Sequence, residues 1–185
     1  AKRYIPKYTR IMRIQRDIPT NITSAGVDRT NLRQYVSEML ENKKIKCNCI
    51  RCREPRDKIN FDNFKIKKEI YEASKGTEIF ISAENKDTLL GFCRLRISYK
   101  PFRKEITENS AGIRELHVYG TATALGKKGI VQHKGIGKEL IKEAERIAKE
   151  EFNKNKMLII SGIGVREYYK NLGYKKEGPY MVKKL

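Results

Sequence analysis

The sequence predicts an α/β fold in which helices pack on a sheet, and three observations lead to this class. Residues 61–120 contain four runs of alternating apolar and polar side chains, which is typical of strands. A strongly amphipathic helix is predicted over residues 135–151. A short apolar strand, a short helix and a final strand or hairpin follow it. The resulting order, β-β-β-β-α-β-α-β, indicates layers around one hydrophobic core.

The predicted elements can be placed in order from their residue patterns. The four strands are "FKIKKEIYEAS", "TEIFISAEN", "LLGFCRLRISY" and "GIRELHVYG", separated by turn-forming residues. The helix after them places apolar residues on one face: Ile136, Leu140, Ile141, Ala144, Ile147 and Ala148. "MLIISG" predicts a strand buried on both faces. "GVREYYKNLG" predicts a short helix closed by Gly173, and "YKKEGPYMVKKL" a final strand or hairpin.

The first 60 residues do not have the pattern of an independent domain. Residues 11–16 alternate between apolar and polar side chains, which predicts a strand. Asp28 or Thr30 is expected to cap a helix that runs to about Asn42. Its apolar face would consist of Leu32, Val36, Met39 and Leu40. We therefore expect a domain boundary between residues 60 and 61.

The chain has a large excess of positive charge. It carries 41 Lys and Arg against 22 Asp and Glu, a formal net charge of +19. This excess predicts a polyanionic partner, most readily nucleic acid, although a general Lys-rich bias would give the same composition. The basic residues of the front third, expected to form a surface that contacts phosphates, are Arg3, Lys7, Arg10, Arg13, Arg16, Lys43, Lys44, Lys46, Arg51, Arg53 and Arg56.

Composition also limits where the protein is expected to work. The sequence contains no run of about 18 apolar residues and no signal-like apolar stretch near its start, so we expect no membrane span and no secretion. The first residue is Ala1 rather than Met. We therefore expect a cytoplasmic protein and a chain that is a piece of a longer one.

Three of the four cysteines crowd into one short segment. Cys47, Cys49 and Cys52 offer three soft ligands within six residues, which predicts a metal site, with Zn²⁺ as the expected ion. Zn²⁺ takes four ligands, and the fourth is not identified. Cys93 lies in an apolar strand and is expected to be buried in the core, so a ligand from another part of the protein is the alternative. So few cysteines suit a reducing compartment.

The predicted long helix begins with Gln132-x-x-Gly135-x-Gly137. The first amides of a helix have no intrahelical partner, and the helix dipole adds positive charge there, so this turn suits a diphosphate. A nucleotide P-loop is excluded, because Gly120 and Gly126 enclose five residues instead of four and Lys128 stands where Ser or Thr is required. The G-x-G-x-x-G pattern is absent as well. An ordinary helix start is the alternative.

The order of the motifs resembles the GNAT acetyltransferase superfamily. Gln132-x-x-Gly135-x-Gly137 is similar to its Q/R-x-x-G-x-G/A pyrophosphate loop, and "EYYKNLGY" to its F-Y-x-x-x-G-F element. The strands "IRELHVYG" and "MLIISG" flank the helix in the matching order. The resemblance implies a mixed, largely antiparallel sheet with flanking helices, and acetyl-CoA as substrate.

Longer segments resemble the catalytic acetyltransferase subunits of the Elongator complex. They are "RIMRIQRDIPTNITSAGVDRTNLRQ", "CNCIRCRE", "QHKGIGKELIKEAERIAKEE", "ISGIGVREYYKNLGY" and "EGPYMVKKL". That family modifies the wobble uridine of tRNA with acetyl-CoA and a radical made from S-adenosylmethionine at a [4Fe–4S] cluster. The cluster motif C-x4-C-x2-C is absent. We therefore expect residues 1–60 to be a remnant of the radical domain with a Cys-rich linker, and residues 61–185 to be the acetyltransferase domain.

The resemblance also implies roles for individual residues. The main-chain amides of Gly135, Ile136, Gly137 and Lys138 would hold the pyrophosphate. The pantetheine arm would pair with the strand edge formed by Glu115, Leu116, His117 and Val118, which aims the thioester toward Ser161. Tyr169 aligns with the general acid of the superfamily, and Tyr168 would line the acetyl group. Core packing is the alternative for both tyrosines.

His117 and Glu115 lie on one face of their strand and are the candidate bases, although His117 could equally be a structural histidine. The expected partners are tRNA, acetyl-CoA, the absent radical domain, and either accessory subunits or a second copy of the chain. Two other functions compete with this interpretation. The fold also supports protein lysine acetyltransferases, and a tRNA-binding module with a vestigial cofactor site would need no catalysis.

Overall fold

The structure is a computed structural model of the 185-residue chain. It describes residues 1–14, 19–22, 24–26, 31–55, 61, 63–101, 103–120 and 135–185. The chain divides into two compact units, Ala1–Glu54 and Pro55–Leu185. Among the described residues, no helix is long and apolar enough to span a bilayer.

The larger unit is built on one seven-stranded sheet with the order β1-β2-β3-β4-β5-β7-β6. The strands are β1 Lys65–Glu72, β2 Gly76–Asn85, β3 Thr88–Ser98, β4 Ser110–Val118, β5 Lys156–Ile160, β6 Lys175–Glu177 and β7 Tyr180–Lys184. Every neighbouring pair is antiparallel except β4 and β5, which run parallel. The predicted mixed sheet is confirmed, and the last segment is a hairpin.

The helices are α1 Leu32–Asn42, α2 Ile50–Arg53, α3 Ile136–Arg146 and α4 Arg166–Lys170, with short 3-10 turns at Lys2–Tyr4, Thr20–Ile22 and Ile163–Val165. The predicted helix over residues 135–151 is α3 followed by a π-helical turn, Ile147–Glu151. The predicted stop at Gly173 is confirmed, since this residue adopts φ +86°, which favours glycine.

Helix α3 covers one face of the sheet and crosses over between the two parallel strands. All six of its predicted apolar residues are buried, together with Ile81, Cys93, Ile113 and Ile159 of the sheet. Burial of each leucine or isoleucine among them stabilises the fold by about 1.5–3 kcal/mol. The sheet face opposite α3 carries a different set of side chains. Candidate site residues lie on both faces.

The smaller unit differs from the sequence prediction in two places. The strand predicted over residues 11–16 is wrong for its described part, because Ile11–Ile14 form no strand. The carbonyls of Ile11 and Met12 accept hydrogen bonds from the Arg33 guanidinium instead of from a neighbouring strand. Residues 15 and 16 lie outside the described part of the chain.

The helix predicted up to Asn42 is present as α1, but its cap is Asn31. The Asn31 side chain accepts a hydrogen bond from the Gln34 main-chain N–H, which satisfies one first-turn donor. Asp28 and Thr30, the predicted caps, lie outside the described residues. The helix buries none of its side chains fully, so its predicted apolar face is only partly covered.

Candidate functional site

The first turn of α3 presents main-chain amides that the helix itself does not use. Gly135 is the N-cap, adopts φ +78°, and provides no side-chain cap. Its carbonyl accepts from the Glu139 N–H, so the intrahelical bonds begin only at Glu139. The amides of Ile136, Gly137 and Lys138 therefore point out of the helix end, where the helix dipole favours an anion. Gln132, predicted to belong to this turn, lies outside the described residues.

Gly137 is a point of close approach in this turn. A Cβ at Gly137 would lie 3.0 Å from the Tyr168 hydroxyl and 3.7 Å from a methyl group of Val118. The structure thereby brings together the start of α3, the end of β4 and helix α4. Three of the predicted site regions meet at this position.

β4 has an open edge beyond its pairing with β5. The parallel pairs run from Ser110–Lys156 to Ile113–Ile159 and then stop, while β4 continues to Val118 against β3 alone. A bulge at Arg94/Leu95 accompanies this divergence. Among the described strands, the residues of β4 after Ile113 have a ladder partner on one side only. An extended ligand could pair with this edge as an additional strand.

The four residues at this edge alternate between the two faces of the sheet. Leu116 and Val118 pack against the core on the α3 face. Glu115 and His117 lie on the opposite face, as period two predicts. The Glu115 carboxylate pairs with Arg94 at 2.9 Å. The exposed His117 ring stacks on Phe92 at 5.7 Å and meets Tyr119 edge-on at 4.5 Å between ring centroids.

The two candidate acids, Tyr168 and Tyr169, have different environments. Tyr169 is 6% exposed and belongs to the hydrophobic core, where it packs edge-on against Tyr168 and Tyr174. Burial, with smaller effects from Tyr168 and Cys93, raises the pKa of Tyr169 to about 12. Tyr168 is half-buried, and burial raises its pKa as well. Both phenols are therefore protonated at neutral pH, and Tyr168 presents its hydroxyl to the start of α3.

Ser161 follows the end of β5, where the two parallel strands have separated. Its hydroxyl is buried and has no hydrogen-bond partner among the described residues. A buried hydroxyl without a partner is unfavourable, and a ligand can relieve it.

The three clustered cysteines lie within reach of one ion. The sulfurs of Cys47, Cys49 and Cys52 are all within 4.8 Å of one another, and the first two residues are buried. Sulfurs around a tetrahedral Zn²⁺ at about 2.3 Å are separated by about 3.8 Å, so this spacing suits that ion. The fourth cysteine, Cys93, is fully buried in the core of the larger unit, as expected from its sequence setting.

The thiols of this cluster affect each other's protonation. Burial, followed by the sulfurs of Cys49 and Cys47, raises the pKa of Cys52 to about 12. Burial also opposes ionisation of Cys49, but hydrogen bonds from Cys52 and Cys47 outweigh it, and the pKa of Cys49 is lowered. The Lys2 ammonium lies 3.9 Å from the Cys52 sulfur. The arrangement stabilises thiolate on Cys49, which is the form that binds a metal.

Three basic residues of the front third make contacts within the smaller unit. Arg53 is buried, with its guanidinium donating to the carbonyls of Asn48 and Lys7. Arg10 and Arg51 pair with Glu54 at 2.6 Å. Arg53 therefore does not belong to the exposed part of the predicted phosphate-contacting surface, since its donors bind carbonyls within the smaller unit. Arg16 and Arg56 lie outside the described residues.

Sequence reasoning did not identify a charged cluster on the sheet face opposite α3. Glu78 is 1% exposed and accepts from Arg96 at 2.8 Å and from Arg114 at 2.5 Å. Its second oxygen has no partner among the described residues. The available signal was the acidic residue next to the apolar run Ile79–Phe80–Ile81 of β2.

Comparison with known proteins identifies the family. Residues 45–174 match the model of the acetyltransferase (GNAT) family. The chain is 51% identical, over its whole length, to tRNA uridine(34) acetyltransferase of Methanocaldococcus jannaschii, and 42% identical over 98% of its length to Elongator complex protein 3 of Saccharomyces cerevisiae. It spans 36% and 35% of these relatives.

A solved structure agrees in fold. The archaeal Methanocaldococcus infernus Elp3 with an N-terminal deletion superposes with a TM-score of 0.87 at 49% identity, over the whole of this chain and 46% of that one. The match covers both the sheet with its crossover helix and the smaller unit that precedes them. The chain belongs to the acetyltransferase (GNAT) family.

Proposed function

We propose that this chain is the acetyl-CoA-binding acetyltransferase part of an enzyme that modifies the wobble uridine of tRNA. One observation carries the cofactor assignment. The uncapped amides at the start of α3 and the open edge of β4 meet at Gly137, where the residue's missing side chain leaves room beside Val118 and Tyr168. Such a site matches a ligand with a diphosphate followed by an extended amide-bearing arm.

The pyrophosphate of acetyl-CoA would be held by the amides of Gly135, Ile136, Gly137 and Lys138. Gln132, which lies outside the described residues, would belong to the same site. The pantetheine arm carries amide groups and would pair with the main chain of Glu115, Leu116, His117 and Val118. This orientation directs the thioester into the gap between β4 and β5, next to the Ser161 hydroxyl.

In hydrolysis of acetyl-CoA, the oxygen of water bonds to the carbonyl carbon and the bond between that carbon and sulfur breaks. Acetate and a CoA thiolate are formed, and the departing thiolate needs a proton. The family pattern favours Tyr169 as the donor, whereas the geometry favours Tyr168. Tyr169 is 6% exposed and enclosed in the core, whereas Tyr168 is half-buried and therefore more accessible to a ligand. We infer that Tyr168 donates the proton and that Tyr169 positions its ring by edge-on packing.

A base must receive the proton of the attacking water. It would act from the sheet face opposite α3. His117 is exposed there, and Glu115 is held by Arg94. The free imidazole is the better candidate for a base, since the Glu115 carboxylate is already paired. The two proton-transfer groups, Tyr168 and His117, would then lie on opposite sides of the gap between the strands.

The RNA part of the proposal rests on charge and on the names of the relatives. A net charge of +19 suits a polyanion and disfavours a basic peptide tail, since like charges repel. The two relatives, which match 100% and 98% of this chain, are named tRNA uridine(34) acetyltransferase and Elongator complex protein 3. We infer a carboxymethyl-type modification at uridine C5, with acetyl-CoA cleaved only when tRNA is bound.

The chain spans about a third of those curated relatives, so the complete reaction would need more of the protein. The absent part would supply S-adenosylmethionine and a [4Fe–4S] cluster for the radical step, in the cytoplasm. Accessory subunits or a second copy would complete the assembly. Within this chain, Cys47, Cys49 and Cys52 would hold a structural Zn²⁺, with the fourth ligand from solvent or from the absent part.

The test is acetyl-CoA binding and hydrolysis, with and without tRNA, in the intact enzyme and in Gly137→Trp. The large side chain would displace Tyr168 and fill the turn, so acetyl-CoA binding should be lost. Unchanged binding would contradict the cofactor assignment. Efficient acetylation of a lysine peptide in the absence of RNA would favour a protein acetyltransferase, and tRNA binding without thioester cleavage would favour a non-catalytic module.

A further inference from the structure

Helix α4 and the residues that follow it approach α3 at two places. Tyr168 reaches the first turn of α3, where its hydroxyl lies 3.0 Å from the position of a Cβ on Gly137. Tyr174, which follows Gly173 beyond the end of α4, reaches the third turn, where its hydroxyl donates to the Glu145 carboxylate at 2.6 Å. Gly137 and Glu145 are about 12 Å apart along the helix axis. The two contacts together determine how α4 lies on α3.

Glu145 joins three elements of the larger unit. Besides the Tyr174 hydroxyl, it accepts from the Lys183 ammonium of β7, which lies 3.0 Å from one carboxylate oxygen and 2.9 Å from the other. The Glu145 side chain is 18% exposed, so water screens these contacts only in part. A hydrogen bond from a hydroxyl to a carboxylate is strong and has a length of about 2.5–2.7 Å, which the Tyr174–Glu145 distance matches.

Tyr174 depends on Glu145 because its hydroxyl is enclosed. The residue is 2% exposed, and its ring lies 5.5 Å from the Lys183 ammonium. Burial, followed by the hydrogen bond to Glu145, raises the pKa of Tyr174, so the phenol is the donor of that bond. A buried donor that loses its acceptor is unfavourable. Without the Glu145 carboxylate, the Tyr174 side chain should therefore shift.

Tyr174 is linked to the proposed acid through Tyr169. Its main-chain N–H donates to the Tyr169 carbonyl at 3.1 Å, and the two rings pack edge-on with their centroids 6.1 Å apart. Tyr169 in turn packs edge-on against Tyr168, with centroids 5.2 Å apart. Close-packed rings in a core do not move independently. A shift of Tyr174 should therefore displace the Tyr168 ring.

We propose that Glu145 is a positioning residue for thioester cleavage: by holding Tyr174, it fixes how α4 docks and hence where the Tyr168 hydroxyl lies. The inference rests on the proposed role of Tyr168 and adds a residue that acts through it. Misplacement of a reacting group by about 1 Å can lower a rate by about 100-fold, so a small change in docking has a measurable effect. In a purely structural role, Glu145 would contribute to stability alone.

The test is tRNA-dependent release of CoA thiol by the intact enzyme, with kcat and KM measured separately. Glu145→Ala removes the acceptor and should lower kcat about tenfold, with KM within about twofold of the parent. Tyr174→Phe keeps the ring but loses the hydrogen bond, and should give a similar loss. Glu145→Gln keeps an oxygen that can accept from Tyr174 and should retain most of kcat. The matched control, Glu143→Ala, removes an α3 acid that pairs with Arg146 of the same helix, and should leave kcat unchanged.

A Tyr168→Phe background separates positioning from stability. If Glu145 acts through the Tyr168 hydroxyl, Glu145→Ala should lower kcat by less than about twofold in this background, although it should still lower Tm. A further tenfold loss would overturn the proposal, because Glu145 would then act independently of Tyr168. Tyr174→Phe, which keeps the buried ring, gives the same comparison if Glu145→Ala is unstable.

Acetyl-CoA binding separates this proposal from the one on which it rests. We expect Glu145→Ala and Tyr174→Phe to bind acetyl-CoA with the affinity of the parent, which also shows that they are folded. A parent-like kcat in both variants, together with a slow Tyr168→Phe, would overturn the positioning role and leave the role of Tyr168 standing. A parent-like kcat in Tyr168→Phe would overturn both. Lost acetyl-CoA affinity in Tyr174→Phe would also overturn the positioning role, because the hydrogen bond would then support binding.

Discussion

The Tyr168 hydroxyl lies 3.0 Å from the position that a Cβ on Gly137 would occupy. Helix α4 therefore reaches the first turn of α3, and glycine is the residue that lets the two approach. The contact links the amides proposed to hold a diphosphate with the phenol proposed to protonate a thiolate. The first two predictions separate these two parts of the site.

Gly137→Ala should weaken acetyl-CoA binding while leaving the fold stable. A methyl group in this place forces the Tyr168 ring to shift by a few tenths of an ångström, but alanine in a helix gains about 0.5–1 kcal/mol over glycine. We expect the free energy of unfolding to change by less than about 1 kcal/mol and acetyl-CoA affinity to fall. Gly164→Ala, where a Cβ meets open space, is the control. Equal affinity in the two variants would contradict the prediction.

Tyr168→Phe should reduce the rate of acetyl-CoA cleavage by about 100-fold, the scale of one general-acid contribution. Its KM should change little, because the lost hydroxyl acts on the leaving group. Tyr169→Phe should keep most of the rate, since the phenol ring stays in the core and its hydroxyl is enclosed. The measurement is tRNA-dependent release of CoA thiol. The reverse order of effects would assign the acid to Tyr169.

Stability at high pH should depend on Tyr169. Its pKa is about 12 in the folded protein, against about 10 in an unfolded chain, so the folded state holds this proton more tightly. The resulting stability is complete below pH 10 and is lost as the pH rises from 10 to 12. The free energy of unfolding of Tyr169→Phe should therefore fall less steeply than that of the parent between pH 9 and 11, by on the order of 1 kcal/mol. If the free energies of unfolding of the two proteins, measured with urea, fell in parallel as the pH rises, Tyr169 would not contribute to this pH dependence.

Cys49→Ser should abolish zinc binding and destabilise the smaller unit. The Cys49 sulfur lies within 4.8 Å of the other two thiols, and its hydrogen bonds favour the thiolate that a metal requires. Zinc content per chain, measured after purification in zinc-containing buffer, should fall from about one to near zero. Cys93→Ala removes a cysteine from the core instead and should keep its zinc. Zinc retained in Cys49→Ser would rule out the site.

Arg13→Ala and Arg53→Ala should have different effects although both remove one positive charge. Arg13 is exposed, so its loss should weaken tRNA binding and reduce the salt dependence of log Kd by about one. Arg53 is buried and holds the carbonyls of Lys7 and Asn48, so its loss should destabilise the smaller unit by about 1–3 kcal/mol. Filter binding over a salt series and thermal unfolding measure the two effects. The distinction would be contradicted if the two variants lost tRNA affinity equally and neither changed the dependence of log Kd on salt concentration.

Most of the larger unit could be predicted from the sequence, because each of its elements satisfies a local rule. The strands alternate with period two, and the apolar face of α3 repeats every three to four residues from Ile136 to Ala148. The Gly173 stop depends on a left-handed conformation that favours glycine. These rules require no knowledge of distant residues.

The errors arose where a distant residue decides the outcome. Ile11 and Met12 begin an alternating pattern that is typical of a strand. Their carbonyls instead accept hydrogen bonds from the Arg33 guanidinium. The sequence around Arg53 predicts an exposed basic side chain. Its hydrogen bond to the Lys7 carbonyl joins residues that are distant in sequence. The cluster of Glu78, Arg96 and Arg114 joins three strands and has no local signature. Which tyrosine faces the start of α3 also depends on how α4 docks.

Among the described strands, β4 and β5 form the one parallel junction, with four residue pairs. β1 to β4 form a meander of sequence neighbours, which folds through local contacts, whereas the parallel junction requires the crossover through α3. The junction should therefore close late in folding and open first under stress. Because the proposed acetyl-CoA site lies at this junction, catalytic competence should be the last property that the folding chain acquires, and mild destabilisation should inactivate the enzyme before its sheet unfolds.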